Sequence, residues 1–202
     1  MGILTREQGE HVPVDREAVG LLLKVLAEHT PGILEDLNRV ARLARSTAQS
    51  LGLGEDEAER IEIAARLHDV GKLAIPDSIL AKPGPLDARE WVIMRTHAEI
   101  GERILLAAPS LAYAAELVRS HHERHDGGGY PDRLAGEAIP LGARIIAVCA
   151  AFAAMMRNRP FSDAITVEEA LDELRRCSGA QFDPVVVDSF MRLMRRAMSQ
   201  GA

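Results

Sequence analysis

The chain has 202 residues, a length that suits one medium domain and excludes a large multidomain enzyme. It is 47% hydrophobic and 27% charged with only 3% aromatic residues, which excludes a disordered or collagenous chain, and its abundant Ala and Leu lean it toward helix. A formal net charge of −6 lacks the broad basic footprint of a duplex nucleic-acid binder, while leaving room for a small anionic ligand held by a few local cations.

In chain order, apolar residues recur every three to four positions almost throughout, and no stretch combines alternation with β-branched enrichment, so the expected fold is all-α. A first helix is expected from about Asp15 to His29, and residues 1–30 read as a helical extension that packs or dimerises, ahead of a domain over 31–202. A second helix opens at Pro31, whose fixed φ suits a first helical position, and runs to Gly52. A third covers about Glu55 to Asp69 and stops at Gly71, read as the unstrained residue a helix end favours. After a Pro-punctuated loop, Asp87-Ala88-Arg89-Glu90 has the form of a capping box for one helix through Trp91, Met94, His97, Ile100 and Ile104, and Ser110 is positioned to cap the next. Helical pattern returns at Leu141 and continues through Met156; a second capping box stands at Thr166 to Glu169, and a last helix follows Asp183-Pro184. Cys149 and Cys177 are too few for a disulfide framework and read as buried free thiols, placing the chain in a reducing, cytoplasmic compartment. No 18-residue apolar run and no signal-peptide pattern appear, so no membrane span is expected.

Chemistry concentrates in one region. Five of the seven histidines, His68, His97, His121, His122 and His125, lie between positions 68 and 125, and Asp69 follows His68 directly. Alone, His68-Asp69 reads as a hydrogen-bonded helix end; in the company of Gly71-Lys72 and the later histidines it reads as a metal site. Imidazole and carboxylate donors suit divalent iron, manganese, zinc or nickel, and a carboxylate can bridge two ions about 3.5–4 Å apart, as in two-metal phosphoester hydrolysis. Lys72 stands where an ammonium can meet a phosphate oxygen. His125 reads as loop surface.

The run His68-Asp69-Val70-Gly71-Lys72, followed by Ile75-Pro76-Asp77, Lys82-Pro83-Gly84, His97, His121-His122-Glu123 and Asp126-Gly127-Gly128-Gly129-Tyr130-Pro131, closely resembles the HD-GYP proteins, a branch of the HD phosphohydrolase superfamily. The resemblance covers about residues 31–190. It implies a helical bundle of about seven to nine helices with a two- or three-metal site, of which one or two divalent transition-metal ions are expected in this chain. The activity it implies is hydrolysis of cyclic di-GMP to pGpG or GMP. Residue by residue, it implies metal ligation by His68, Asp69, His97, His121 and His122, with Asp69 as bridge and Asp36 standing where the family usually has a histidine. It further implies catalytic roles for Asp69 and Lys72, and substrate contacts from Lys72, Arg159, Gly129, Tyr130 and Pro131, the last three forming a loop that also suits a signalling-protein partner.

One segment departs from the family. Ala150 and Ala153 stand where it carries Asp, Met156 where it carries Thr, and Asn158 where it carries Asp. A methyl group cannot coordinate a hard cation, so the ion shared by His68 and Asp69 lacks one anionic ligand. Three readings stay open: a cyclic di-GMP phosphodiesterase with an impaired metal shell, a module that binds a dinucleotide or a protein without turnover, and a phosphohydrolase for another nucleotide.

Overall fold

The computed structural model describes residues 15–30, 32–157 and 164–200, so Pro31, Asn158 and Arg159 lie outside the described residues. The helices are α1 (Arg16–His29), α2 (Ile33–Ser50), α3 (Glu55–Leu67), α4 (Asp77–Leu80), α5 (Ala88–Arg95), α6 (His97–Leu106), α7 (Ala112–Ser120), α8 (Leu141–Met155), α9 (Val167–Arg176) and α10 (Pro184–Gln200). Nine of these exceed a single turn, α4 being one turn only, and the described residues contain no strand beyond an isolated bridge between Ser178 and Phe182. The all-α expectation is met. None of the described helices is long and apolar enough to cross a membrane.

The core is organised around α8, whose sequence carries a single charge, Arg144, and which is therefore apolar nearly all round. A helix of that kind is stable only when neighbours cover most of it. Ile145, Ile146, Val148 and Cys149 are fully buried against α2, α3 and α7, and Phe152 meets Phe190 of α10 edge to face. Burying each such large side chain contributes about 1.5–3 kcal/mol before chain entropy is counted. α1 lies on α3 and on the 3-10 turn η1 (Val70–Ala74), where Leu26, Ile33 and Leu37 form a second apolar cluster with Leu23 and Leu73. The amino-terminal helix thereby backs the turn that carries Lys72.

Both capping boxes form. The Asp87 carboxylate accepts the N–H groups of Arg89 and Glu90 while Glu90 accepts that of Asp87, and Thr166 and Glu169 repeat the arrangement at α9. Four local expectations need correction. The helix expected to run unbroken from Ala88 to Ile104 breaks at Thr96, because the Thr96 N–H and hydroxyl both donate to the Ile93 carbonyl and tighten the chain into a 3-10 turn. Ser110 caps nothing; it sits inside a 3-10 turn, Pro109–Leu111, ahead of α7. Cys177 is only half-buried at the end of α9, where it packs on the edge of the core and its thiol meets the Glu173 carboxylate. Cys149 is the buried thiol: it lies 3.8 Å from the Thr47 hydroxyl, and burial pushes it up to about 12, leaving it protonated.

The fourth concerns Gly71, whose backbone is not left-handed. A Cβ there would lie 1.9 Å from the His97 carbonyl oxygen and 2.6 Å from the Gly101 nitrogen. Its purpose is close approach between η1 and α6, with Gly101 on the facing side, rather than termination of α3.

Candidate metal centre

Three of the histidines owe their orientation to the same local device. His68 ends α3, His97 begins α6 and His121 ends α7. In each, Nδ1–H donates to the carbonyl three residues earlier: Ala65 at 2.7 Å, Met94 at 2.7 Å and Val118 at 2.6 Å. Facing a carbonyl, Nδ1 must carry the proton, which leaves Nε2 as the bare nitrogen. Helix ends supply carbonyls short of partners, so the positions that terminate helices also lock imidazoles.

The rings converge. His97 Nε2 lies 3.5 Å from His121 Nε2, and the donor atoms of His97, His121 and His122 all fall within 4.8 Å of one another. Burial pushes His97 below the usual imidazole range and His121 well below it, and pushes His122 down to about 3, so all three rings are neutral at physiological pH. The His97 and His121 nitrogens therefore face each other without a proton between them, an arrangement that repels itself. A cation relieves it. Nitrogens bound to one tetrahedral ion at about 2.0–2.1 Å are separated by about 3.4 Å, close to the observed spacing. Neutral imidazoles with the distal nitrogen hydrogen-bonded are the form in which histidine binds metals. This donor set fits a divalent ion.

Asp69 borders that cluster. Its Oδ1 is 3.8 Å from His97 Nε2, and its Oδ2 is 3.5 Å from His68 Nε2 and 2.7 Å from Lys72 Nζ. Burial works against the carboxylate charge, but Lys72, followed by His68 and His97, outweighs it and holds the group well below the usual carboxylate range. The histidines line a cavity of about 630 Å³ together with Trp91, Arg95 and Tyr130. Tyr130 stacks on His122 with ring centroids 4.8 Å apart, and the Arg95 guanidinium stands 5.3 Å from the Tyr130 ring and 5.9 Å from the Trp91 ring.

The loop that presents Tyr130 demands glycine: a Cβ on Gly129 would lie 2.4 Å from the Arg124 nitrogen. The peptide between Tyr130 and Pro131 is cis. His125, expected at the surface, is half-buried; its N–H donates to the Gln181 carbonyl and ties the loop to the chain before α10.

Asp36 is not brought to the histidine cluster. It lines a second cavity, of about 320 Å³, that shares His68 and Asp69 with the first, and there it pairs with Arg157 at 2.5 Å. Ala150 and Ala153 contribute only methyl groups to that wall. In this cavity the carboxylates are Asp69 and Asp36, the latter paired with a guanidinium, and α8 adds no carboxylate. Arg95 and Trp91 were not singled out as site residues from the sequence; only their helical spacing on the way to His97 marks them. Arg157 carried no signal at all, since its partner is 121 positions away.

A profile of the HD domain family matches residues 20–186. The chain is 43% identical over 180 residues to the cyclic di-GMP phosphodiesterase response regulator RpfG of Xanthomonas campestris pv. campestris, covering 88% of this chain and 48% of that protein. It is 45% identical over 154 residues to 3'3'-cGAMP-specific phosphodiesterase 2 of Vibrio cholerae, covering 75% of this chain and 30% of the relative. It thus spans less than half the length of these curated relatives. Among solved structures, Bd1817, an HDG"Y"P protein from Bdellovibrio bacteriovorus, shares the fold with a TM-score of 0.67 at 14% identity, covering 89% of this chain and 62% of that one.

Proposed function

The chain belongs to the HD domain family, in its HD-GYP branch, and from that premise we propose that it is a metal-dependent phosphodiesterase that opens cyclic di-GMP to the linear dinucleotide pGpG, and on to GMP. The observation that carries this reading is the convergence of bare imidazole nitrogens from α6 and α7 beside the ionised Asp69–Lys72 pair. The names of the curated relatives, phosphodiesterases for cyclic di-GMP and for 3'3'-cGAMP, support the substrate class.

His97, His121 and His122 would hold one divalent transition-metal ion, with Asp69 and His68 at its edge; iron, manganese, zinc and nickel all suit the donors. When bound, such an ion lowers the pKa of water and draws charge from a phosphoryl oxygen. Asp69 stays ionised and keeps Oδ1 turned toward His97. Lys72 spends one N–H on Asp69 Oδ2 and has two left to donate to a phosphate oxygen as negative charge builds there. The water oxygen bonds to phosphorus, the bond from phosphorus to O3′ breaks, and the water proton ends on O3′, giving a free 3′-hydroxyl and a 5′-phosphate. Trp91, Arg95 and Tyr130 present flat π and guanidinium surfaces, on which stacking of a guanine contributes about 1–3 kcal/mol. Gly129 and Pro131 hold Tyr130 in that wall, and Arg159 is a further phosphate contact by the family pattern.

A second reading, binding of the dinucleotide without turnover, is favoured by the Ala150 and Ala153 wall and by the pairing of Asp36 with Arg157. The test is incubation of Mn²⁺- or Fe²⁺-loaded protein with cyclic di-GMP and with 3'3'-cGAMP, following products by anion-exchange chromatography. Formation of pGpG that is lost in His97→Ala and Asp69→Asn is the expected result. Tight binding with no product from either substrate would replace the enzyme by the module.

A further inference from the structure

We propose that the cavity lined by Asp36, Asp69, Lys72 and Arg157 is a metal-free phosphate subsite, in which the Arg157 guanidinium stands in for a second ion. For the identity of the ligand this rests on the cyclic-dinucleotide reading above; the chemistry of the cavity stands apart from it.

Both carboxylates in the cavity already have a cation. Asp36 meets Arg157 at 2.5 Å, and Asp69 meets Lys72 at 2.7 Å. A divalent ion would have to displace both cations and then remain beside them, with no further anionic donor from Ala150 or Ala153 to compensate. Two cations against two carboxylates leave the cavity close to neutral, so free hydrogen-bonding capacity decides what it accepts. The carboxylates are engaged, whereas the cations are not exhausted. A guanidinium has five N–H donors and Arg157 uses Nη1 for Asp36; an ammonium has three and Lys72 uses one for Asp69. Those remaining donors point to an acceptor-only ligand, and a phosphate is the acceptor that matches a planar guanidinium fork.

Space and reach agree with this. The methyl groups of Ala150 and Ala153 leave the wall recessed, the Lys72 and Arg157 side chains are 30% and 53% exposed, and the volume of about 320 Å³ is at the lower end of ligand-sized pockets. This cavity adjoins the one lined by His97, His121 and His122, and the two share His68, Asp69 and Lys72 in their walls. A molecule with two phosphodiesters can thus place one at the histidine cluster and the other against Arg157. Asp36 acts as the holder that aims the guanidinium across the mouth.

Two measurements test the subsite. Elemental analysis after Mn²⁺ loading and desalting should find one ion per wild-type chain, and two in the double variant Ala150→Asp with Arg157→Ser. Phosphorus NMR titration of EDTA-treated protein with inorganic phosphate should show binding that weakens at least about tenfold in Arg157→Ala, since a charge-assisted hydrogen bond contributes about 1.5–3 kcal/mol, and that Arg157→Lys restores only in part, because an ammonium keeps the charge and lacks the fork. Arg157 is half exposed, so Arg157→Ala and Arg157→Lys should unfold at the wild-type denaturant midpoint. Two ions in the wild type, a double variant still holding one, or equal phosphate affinity in Arg157→Ala would each overturn the proposal. If phosphate binding follows Arg157 while cyclic di-GMP fails to bind, the ligand reading fails and the subsite stands.

Discussion

Replacing Gly71 by Ala tests whether the metal centre depends on the crossing of η1 and α6. The added Cβ would lie 1.9 Å from the His97 carbonyl oxygen and 2.6 Å from the Gly101 nitrogen, both backbone atoms that cannot rotate aside. Reaching an ordinary contact near 3.4 Å requires the two elements to part by about 1.5 Å along that line. Overpacking of this kind costs about 1–3 kcal/mol, and with backbone on both sides the upper end applies. The same displacement moves Asp69 and Lys72 away from His97, stretching the present 3.8 Å between Asp69 Oδ1 and His97 Nε2 to about 5 Å. Sites of this type tolerate about 0.5 Å of misplacement, and 1 Å costs about 100-fold, so Mn²⁺ affinity and any turnover should fall by about that factor. Urea denaturation and Mn²⁺ calorimetry read the two effects. Gly20→Ala is the control: no atom lies within 4 Å of its Cβ, it sits inside α1, and it should add about 0.5–1 kcal/mol of stability while leaving Mn²⁺ binding unchanged. Wild-type Mn²⁺ affinity together with less than about 1 kcal/mol of lost stability in Gly71→Ala would refute the close-approach argument.

Four further outcomes follow from the same coordinates. Asp183 accepts the N–H groups of Val185 and Val186 and pairs with Arg144 at 2.5 Å; although burial opposes its charge, these partners hold it below the ordinary carboxylate range. A depressed carboxyl stabilises above its unfolded value of about 3.9 and loses that contribution as pH falls through the folded value; Asp183→Asn should therefore be about 3 kcal/mol less stable at pH 7, with the gap closing below about pH 4 in pH-resolved urea melts. Thr166→Ala removes the α9 capping box and should cost about 1 kcal/mol by thermal melting, without changing Mn²⁺ affinity. Gly129→Ala forces its Cβ against the Arg124 nitrogen and should lift Tyr130 off His122, visible as changed tyrosine fluorescence with weaker dinucleotide binding. Mn²⁺ at about 100 times its dissociation constant should stabilise the protein by about 2.7 kcal/mol, an increment abolished in His121→Ala and reversed by EDTA.

Much of the fold was legible because its signals are local. Apolar spacing located α1, α2, α3, α8 and α10 to within a few residues, and the two capping boxes form from side chains three positions apart. What escaped was decided by competition or by distance. At Thr96 a hydroxyl competes for the carbonyl that an unbroken helix would use, and periodicity carries no trace of that contest. Ser110 has the side chain of a cap, but Pro109 draws it into a 3-10 turn. Gly71 was correctly marked as a special position for a reason that the structure replaces, because a close approach to α6 leaves no local sign distinguishable from a helix stop.

The histidine series stood out by composition and order, yet what makes those residues a site is a backbone property. Each of His68, His97 and His121 lies three residues beyond a carbonyl that its Nδ1 occupies, so the chain aims Nε2 inward wherever it ends or starts a helix at that point. Asp36 obeys the opposite logic. Its identity suited a ligand, but its environment depends on Arg157, far along the chain, whose guanidinium meets it at 2.5 Å. The two alanines of α8 and the arginine after it are read together in the proposed subsite: methyl groups give the wall no donor for a cation, and the guanidinium supplies positive charge there. On the proposed reading, the half of the site built on helix-end histidines would hold a metal ion, while in the half beside α8 a covalently attached cation would meet the phosphate.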